Sequence, residues 1–193
     1  MVDVDTNAWT TLALVREHLK FAASDTSKDE QLKSFINRSL YILERYCGKQ
    51  MKSRTYTEYQ DGDETDELLT KQWPIVSVTS LHDDISRAWG SDSEIESDDY
   101  VIYADQGAIR LINDETLFSI GKQNIRLIYS AGYATIPTDL EIASTSHVAY
   151  MYNKSAGEGH TSLSLGGFSK SFDLAPLPAD VRQYVEPYRK RAH

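Results

Sequence analysis

The sequence is poorest in cysteine: Cys47 is the single thiol in 193 residues. That excludes an internal disulfide and any zinc site needing several thiolates from one chain. Nothing in it calls for an oxidising compartment. No apolar run approaches the roughly 18 residues of a membrane span, so no membrane partner is expected. The opening MVDVDTNAW is acidic, with no basic region and no apolar stretch, so no secretory signal is expected. Basic charge is scarce too. Twenty Lys and Arg face 29 Asp and Glu, a formal net charge of −9. A protein that grips nucleic-acid phosphates needs clustered bases, and this balance argues against one. It does not argue against a protein that lets genomic DNA slide past, because an acidic surface repels phosphate.

Chemical fingerprints are also missing. No phosphate loop or dinucleotide motif occurs, and no cofactor is expected. Ser130-Ala131-Gly132 is not a Gly-x-Ser-x-Gly elbow, and no other serine fits one. What remains is an ordinary globular composition, 40% hydrophobic and 25% charged. A chain of this length buries roughly 70% of its unfolded surface, enough for one domain or a domain with an inserted sub-domain.

Apolar spacing predicts a helix over residues 6–23, capped by Thr6 or Asn7, with Trp9, Leu12, Val15 and Leu19 on one face. A second helix carries Leu32, Phe35, Ile36, Leu40, Leu43 and Tyr46 to Cys47. Gly48 follows, where glycine can take positive φ. A strand is expected over residues 55–59, a short one at Leu68-Leu69 and another over residues 75–81. Asp105-Gln106-Gly107 marks a hairpin, and residues 125–129 form a last strand. Helix returns with Leu140, Ala143, His147, Tyr150 and Met151, launched by Pro137 or capped by Thr138 with Glu141. A Gly- and Ser-rich stretch then precedes a final helix with Val181, Tyr184, Val185 and Tyr188, bent or ended by Pro187.

The expected fold class is therefore α+β. Two N-terminal and two C-terminal helices form a helical core, with a small antiparallel β-sheet inserted. The boundaries are residues 1–50 for a helical hairpin, 51–134 for the β sub-domain and 135–156 for a core helix. Residues 157–174 make a flexible loop and extended segment, and 175–193 a C-terminal helix with a basic tail.

Several residue groups invite chemistry. Between residues 58 and 99, Lys71 and Arg87 are the only bases among many acids. The cluster Asp61, Asp63, Glu64, Asp66 and Glu67 resembles a calcium loop. However, Asp66 stands where an EF-hand needs glycine and Gln72 where it needs glutamate. A solvated acidic face, turned to solvent or to a channel, is the stronger reading. His147, on an apolar helix face, reads as a packed histidine; His18, His82, His160 and His193 read as solvent-facing. Cys47 reads as a structural thiol. Ser130 to Ala134 forms a slim corner, with Gly132 supplying a conformation or closeness that a side chain forbids. Tyr133 anchors the corner and Pro137 starts the helix beyond it. Twelve tyrosines and three tryptophans exceed what a small domain must bury, and such side chains favour interfaces.

Short patterns in a fixed order carry a family resemblance. They are Tyr46-Cys47-Gly48-Lys49, Thr55-Tyr56-Thr57-Glu58-Tyr59, Trp73-Pro74 with the following strand, Asp99-Tyr100-Val101-Ile102, Gly107-Ala108-Ile109-Arg110-Leu111 and Tyr129-Ser130-Ala131-Gly132-Tyr133 with Pro137. Together they resemble the head–tail connector (adaptor) proteins of tailed bacteriophages, over roughly residues 5 to 190. The resemblance implies a structural virion protein made in the host cytoplasm and placed in the neck, not an enzyme. It implies a ring, usually of twelve subunits, beneath the portal protein. That ring extends the DNA channel and docks a head-completion (stopper) or tail terminator protein. It further implies a C-terminal segment that engages the portal. Here the candidates are Phe172, Tyr184, Tyr188, Arg189, Lys190 and Arg191. The alternatives are another neck or tail-completion protein, or a metal-binding or enzymatic domain built on the Asp61 to Glu67 cluster.

Overall fold

The structure is a computed structural model that describes residues 2–22, 24–113, 116–155 and 177–190, and the backbone of 162–165 and 168–171. The chain is α+β, with four α-helices among the described residues and antiparallel sheets. It divides into two compact units, one of Met1–Lys49 with Ile136–His193 and one of Gln50–Thr135.

In the first unit, α1 (Leu12–His18), α2 (Asp29–Cys47) and α4 (Ala179–Val185) each pack against or near α3 (Thr138–Ser155), which contacts all three. Val15, Leu32, Ile36 and Val148 interlock where α1, α2 and α3 meet. Burying each such side chain contributes about 1.5–3 kcal/mol. Gly48 ends α2 at φ +72, and its N–H donates to Glu44 O at 2.9 Å. No helix of the described residues is long and apolar enough to cross a membrane.

Two local expectations change. The first helix runs seven residues, not the expected span of 6–23. Thr11, not Thr6 or Asn7, caps it by accepting from Leu14 N. Lys20, at φ +59, turns the chain out of helix. Arg16 then holds the irregular link by donating to Ala22 O, Asp25 O and Asp29 Oδ2. At α3, Pro137 sits just before the first helical residue, and its carbonyl accepts from Glu141 N.

The second unit has two three-stranded antiparallel sheets where one small sheet is expected. In the first, β6 (Gly121–Ala131) lies between β1 (Arg54–Gly62) and β3 (Ile75–Asp83). In the second, β5 (Ala108–Leu111) lies between β2 (Glu67–Leu69) and β4 (Tyr100–Tyr103), with Gly107 at φ +68 in the β4–β5 turn. The period-2 alternation of β6 explains its placement. Ile125, Leu127, Tyr129 and Ala131 enter a core with Leu81, Ile109, Leu111 and Phe118, while Arg126, Ile128 and Ser130 face the other way. Within residues 157–174, β7 (Ser162–Leu165) and β8 (Phe168–Ser171) pair antiparallel.

Candidate functional site

The C-terminal segment is anchored from within its own unit. Leu177, Val181 and Val185 are buried at 4%, 1% and 0% exposure. After α4 a 3-10 turn, Glu186–Tyr188, takes over at Pro187. Tyr188 donates its hydroxyl to Asp139 Oδ1 and Oδ2 at 2.9 and 2.8 Å. Tyr46 donates to Glu186 Oε2 at 2.5 Å, which lowers the Glu186 carboxyl and raises the Tyr46 hydroxyl. The Arg189 guanidinium lies 5.3 Å from the centroid of the Tyr46 ring and 3.6 Å from Glu186 Oε1. Lys190 N donates to Cys47 O at 2.7 Å. Two of the candidate contact residues, Tyr188 and Arg189, are therefore engaged in holding the segment. Tyr184 points outward, 41% exposed. Phe172 and Arg191 lie outside the described residues, as do His160 and His193.

The acidic cluster does not converge. Asp61 Oδ1 accepts from Gln123 N, Asp63 Oδ1 from the Thr65 hydroxyl, and Glu67 pairs with Arg110 at 3.1 Å. Glu64 and Asp66 are exposed. A cleft of about 240 Å³ beside Asp61, Asp63 and Glu67 has Leu68 and Phe118 in its lining. Among the described residues no group of three His, Cys, Asp or Glu could hold a metal ion.

Glu58, the first of the acids between residues 58 and 99, does not face solvent. It is 7% exposed and accepts from Tyr129 Oη, Lys71 N and Gln60 Nε2. Burial, and then this hydrogen bond, push the Tyr129 hydroxyl well above its ordinary range. The missed signal was its place opposite Leu127 in the β1–β6 register, two residues from Tyr56, which packs on the core.

The corner at Gly132 has a steric cause. Its φ is +110, and a Cβ there would stand 2.8 Å from Met51 O and 2.9 Å from Lys52 C and O. Gly132 N donates to Pro74 O, Tyr133 N donates to Met51 O, and Ser53 N donates to Tyr133 O. Three segments thus meet where only a hydrogen fits.

Of the histidines, His147 is fully buried and its Nδ1 lies 3.0 Å from Ser39 Oγ, a side-chain partner on α2. His18 is exposed. His82 is the correction: it is 4% exposed, bonded to Ser93 Oγ and covered edge-on by Trp89. A loop that returns over the sheet buries a position on the face opposite the core residue Leu81. Cys47 is fully buried, and burial pushes its thiol up to about 12, so it is inert.

The fold is similar to chains in three solved assemblies. One is the neck of an empty gene transfer agent particle computed with C6 symmetry, with a TM-score of 0.66, 19% identity and coverage of 100% of this chain and 95% of that one. Another is the virion of the native gene transfer agent particle, with a TM-score of 0.64, 19% identity and coverage of 100% and 95%. The third is the neck of the native particle computed with C12 symmetry, with a TM-score of 0.62, 20% identity and coverage of 100% and 97%. No curated protein sequence matches this one. The family described as head completion protein matches residues 10–191, nearly the whole chain, which bears out the resemblance to phage neck components: the chain belongs to the head completion protein family.

Proposed function

We propose that this protein is a structural component of a phage-like neck. Copies of the chain assemble as a ring, of twelve in the simplest case, beneath the portal. The ring continues the DNA channel and offers its far side to a stopper or tail terminator protein. The observation that carries this reading is family membership over residues 10–191. The neck assemblies of similar fold, computed with C6 and C12 symmetry, support the ring. A net charge of −9 suits a wall that DNA slides past.

The portal contact is assigned to the C-terminal segment. Tyr184 is the outward-facing aromatic anchor, and Lys190, Arg191 and Phe172 flank it in sequence. Tyr188 and Arg189 act by holding the segment in place. Co-sedimentation of the protein with portal-bearing heads, against heads lacking the portal, tests the reading. Binding only to the former is expected, and equal or absent binding overturns it.

A further inference from the structure

We propose that the loop of residues 84–89 in one subunit seats Ile85 and Arg87 in a pocket of the next subunit formed by Ile95, Asp98, Asp99, Leu111 and Ile112. This rests on the ring reading above and names the contact between its subunits.

The loop is a built projection. Asp84 Oδ1 accepts from Ser86 N and Oγ at 2.8 and 2.6 Å, and Oδ2 accepts from Ala88 N and Trp89 N at 2.8 and 2.7 Å. Arg87 and Trp89 both stand in the left-handed region, at φ +58 and +59, a conformation that costs non-glycine residues energy and persists only when the surroundings impose it. Trp89 anchors the base, with the Arg126 guanidinium 5.0 Å from its centroid and the Tyr59 ring 5.6 Å away. At the tip Ile85 is 69% exposed, the most exposed large hydrophobic side chain among the described residues. Beside it the Arg87 side chain makes no hydrogen bond or ion pair among the described residues. A rigid loop that presents an apolar anchor and an unspent cation has already met the ordering cost of binding.

The pocket is its complement. It encloses about 330 Å³, with Ile95, Leu111 and the 55%-exposed Ile112 supplying apolar surface. Asp98 and Asp99 are exposed at its rim, and their carboxylates are unpaired among the described residues. An apolar anchor in a pocket with opposite charges at the rim gives affinity at the centre and register at the edge.

The two features lie on opposite sides of the β1–β6–β3 sheet. Tyr59, Arg126 and His82 form one cross-strand row, on the face opposite Leu127, and Trp89 covers it. The chain then passes the β3 edge, where Ile95 N donates to Leu81 O, and Ile95 packs into the core on the other face with Leu111. A projection on one face and a socket on the other make a head-to-tail contact, the kind that closes into rings.

The test is a disulfide between copies of the full chain carrying Arg87→Cys and Asp98→Cys together, oxidised and run on a non-reducing gel. Native Cys47 is buried and does not interfere. The expected result is a ladder of multiples from the double variant and none from either single variant. Arg87→Glu should weaken assembly by about tenfold or more, and adding Asp98→Arg should restore it. Dimers from one single variant, a bridge within one chain, or a ladder when Glu141→Cys replaces Asp98→Cys would each overturn the assignment. Light scattering, and microscopy of portal-bearing heads where the free protein is a monomer, separate the two levels: wild-type rings without bridging sink this contact alone, whereas no wild-type ring in either setting sinks the ring as well.

Discussion

Tyr188 closes the C-terminal segment onto α3 by donating its hydroxyl to both carboxylate oxygens of Asp139, at 2.9 and 2.8 Å. This contact decides how the segment is to be tested. Deleting residues 175–193 would remove Leu177, Val181 and Val185 from the core along with any portal contact. Tyr188→Phe instead removes one hydroxyl. It should cost about 1.5–3 kcal/mol in chemical denaturation, the range for a hydrogen bond to a charged group. Asp139→Ala also removes the bond from Leu140 N, so only the shared part is common: the double variant should cost less than the two single variants summed.

Tyr184→Ala removes a ring that lies outside the buried α4 stripe and is 41% exposed. The melting temperature should stay within a degree or two of wild type. Affinity for portal-bearing heads, measured by co-sedimentation, should fall about tenfold or more if Tyr184 is a central anchor. Unchanged affinity would move the portal contact elsewhere.

Gly132→Val places a branched side chain at φ +110 against Met51 O and Lys52. We expect about 3 kcal/mol or more of destabilisation by urea unfolding, or failure to accumulate folded protein. Gly132→Ala should lose less but still measurably, because its Cβ meets the same carbonyl.

Tyr129→Phe leaves the buried Glu58 carboxylate one donor short. The expected loss is about 2 kcal/mol. Because the Tyr129 hydroxyl is held above its ordinary range, it should give no tyrosinate absorbance until the unit unfolds in alkali. Early ionisation of all twelve tyrosines in native protein would contradict the buried network.

Cys47 gives a pH-dependent prediction. Its folded thiol titrates at about 12, above the ordinary value, so the folded state holds the proton after the unfolded state has released it. Its contribution is complete below about pH 8.5, the unperturbed thiol range. It is lost progressively as pH rises toward 12. The stability gap between wild type and Cys47→Ala should shrink over that window. At pH 8 an alkylating reagent should label the thiol only after denaturant is added.

Legibility in the sequence followed the kind of force at work. The α2 stripe and its Gly48 stop, the β4–β5 hairpin at Gly107 and the β6 alternation are local patterns, and each lies where its spacing says. The first helix is shorter because the side chain of Arg16 and the left-handed Lys20 reshape the link beyond it, which no apolar period reveals. The division into two sheets depends on β6 taking β1 and β3 while β5 takes β2, a choice among long-range partners. His82 reads as solvent-facing, and Glu58 as one more acid of the run between residues 58 and 99, because each is polar in itself. What covers them is tertiary: the 84–89 loop folds Trp89 back over His82, and Tyr129 reaches Glu58 from a strand far along the chain. The C-terminal tyrosines were legible as a group, but which of them hold and which face outward depends on Asp139 and Tyr46.

The central claim is that this chain builds a neck ring on the portal. Electron microscopy of portal-bearing heads incubated with the purified protein tests it most directly. The account predicts added collar density on the portal axis, with rotational symmetry and an open central channel. Density elsewhere on the capsid, or none at saturating protein, would contradict it.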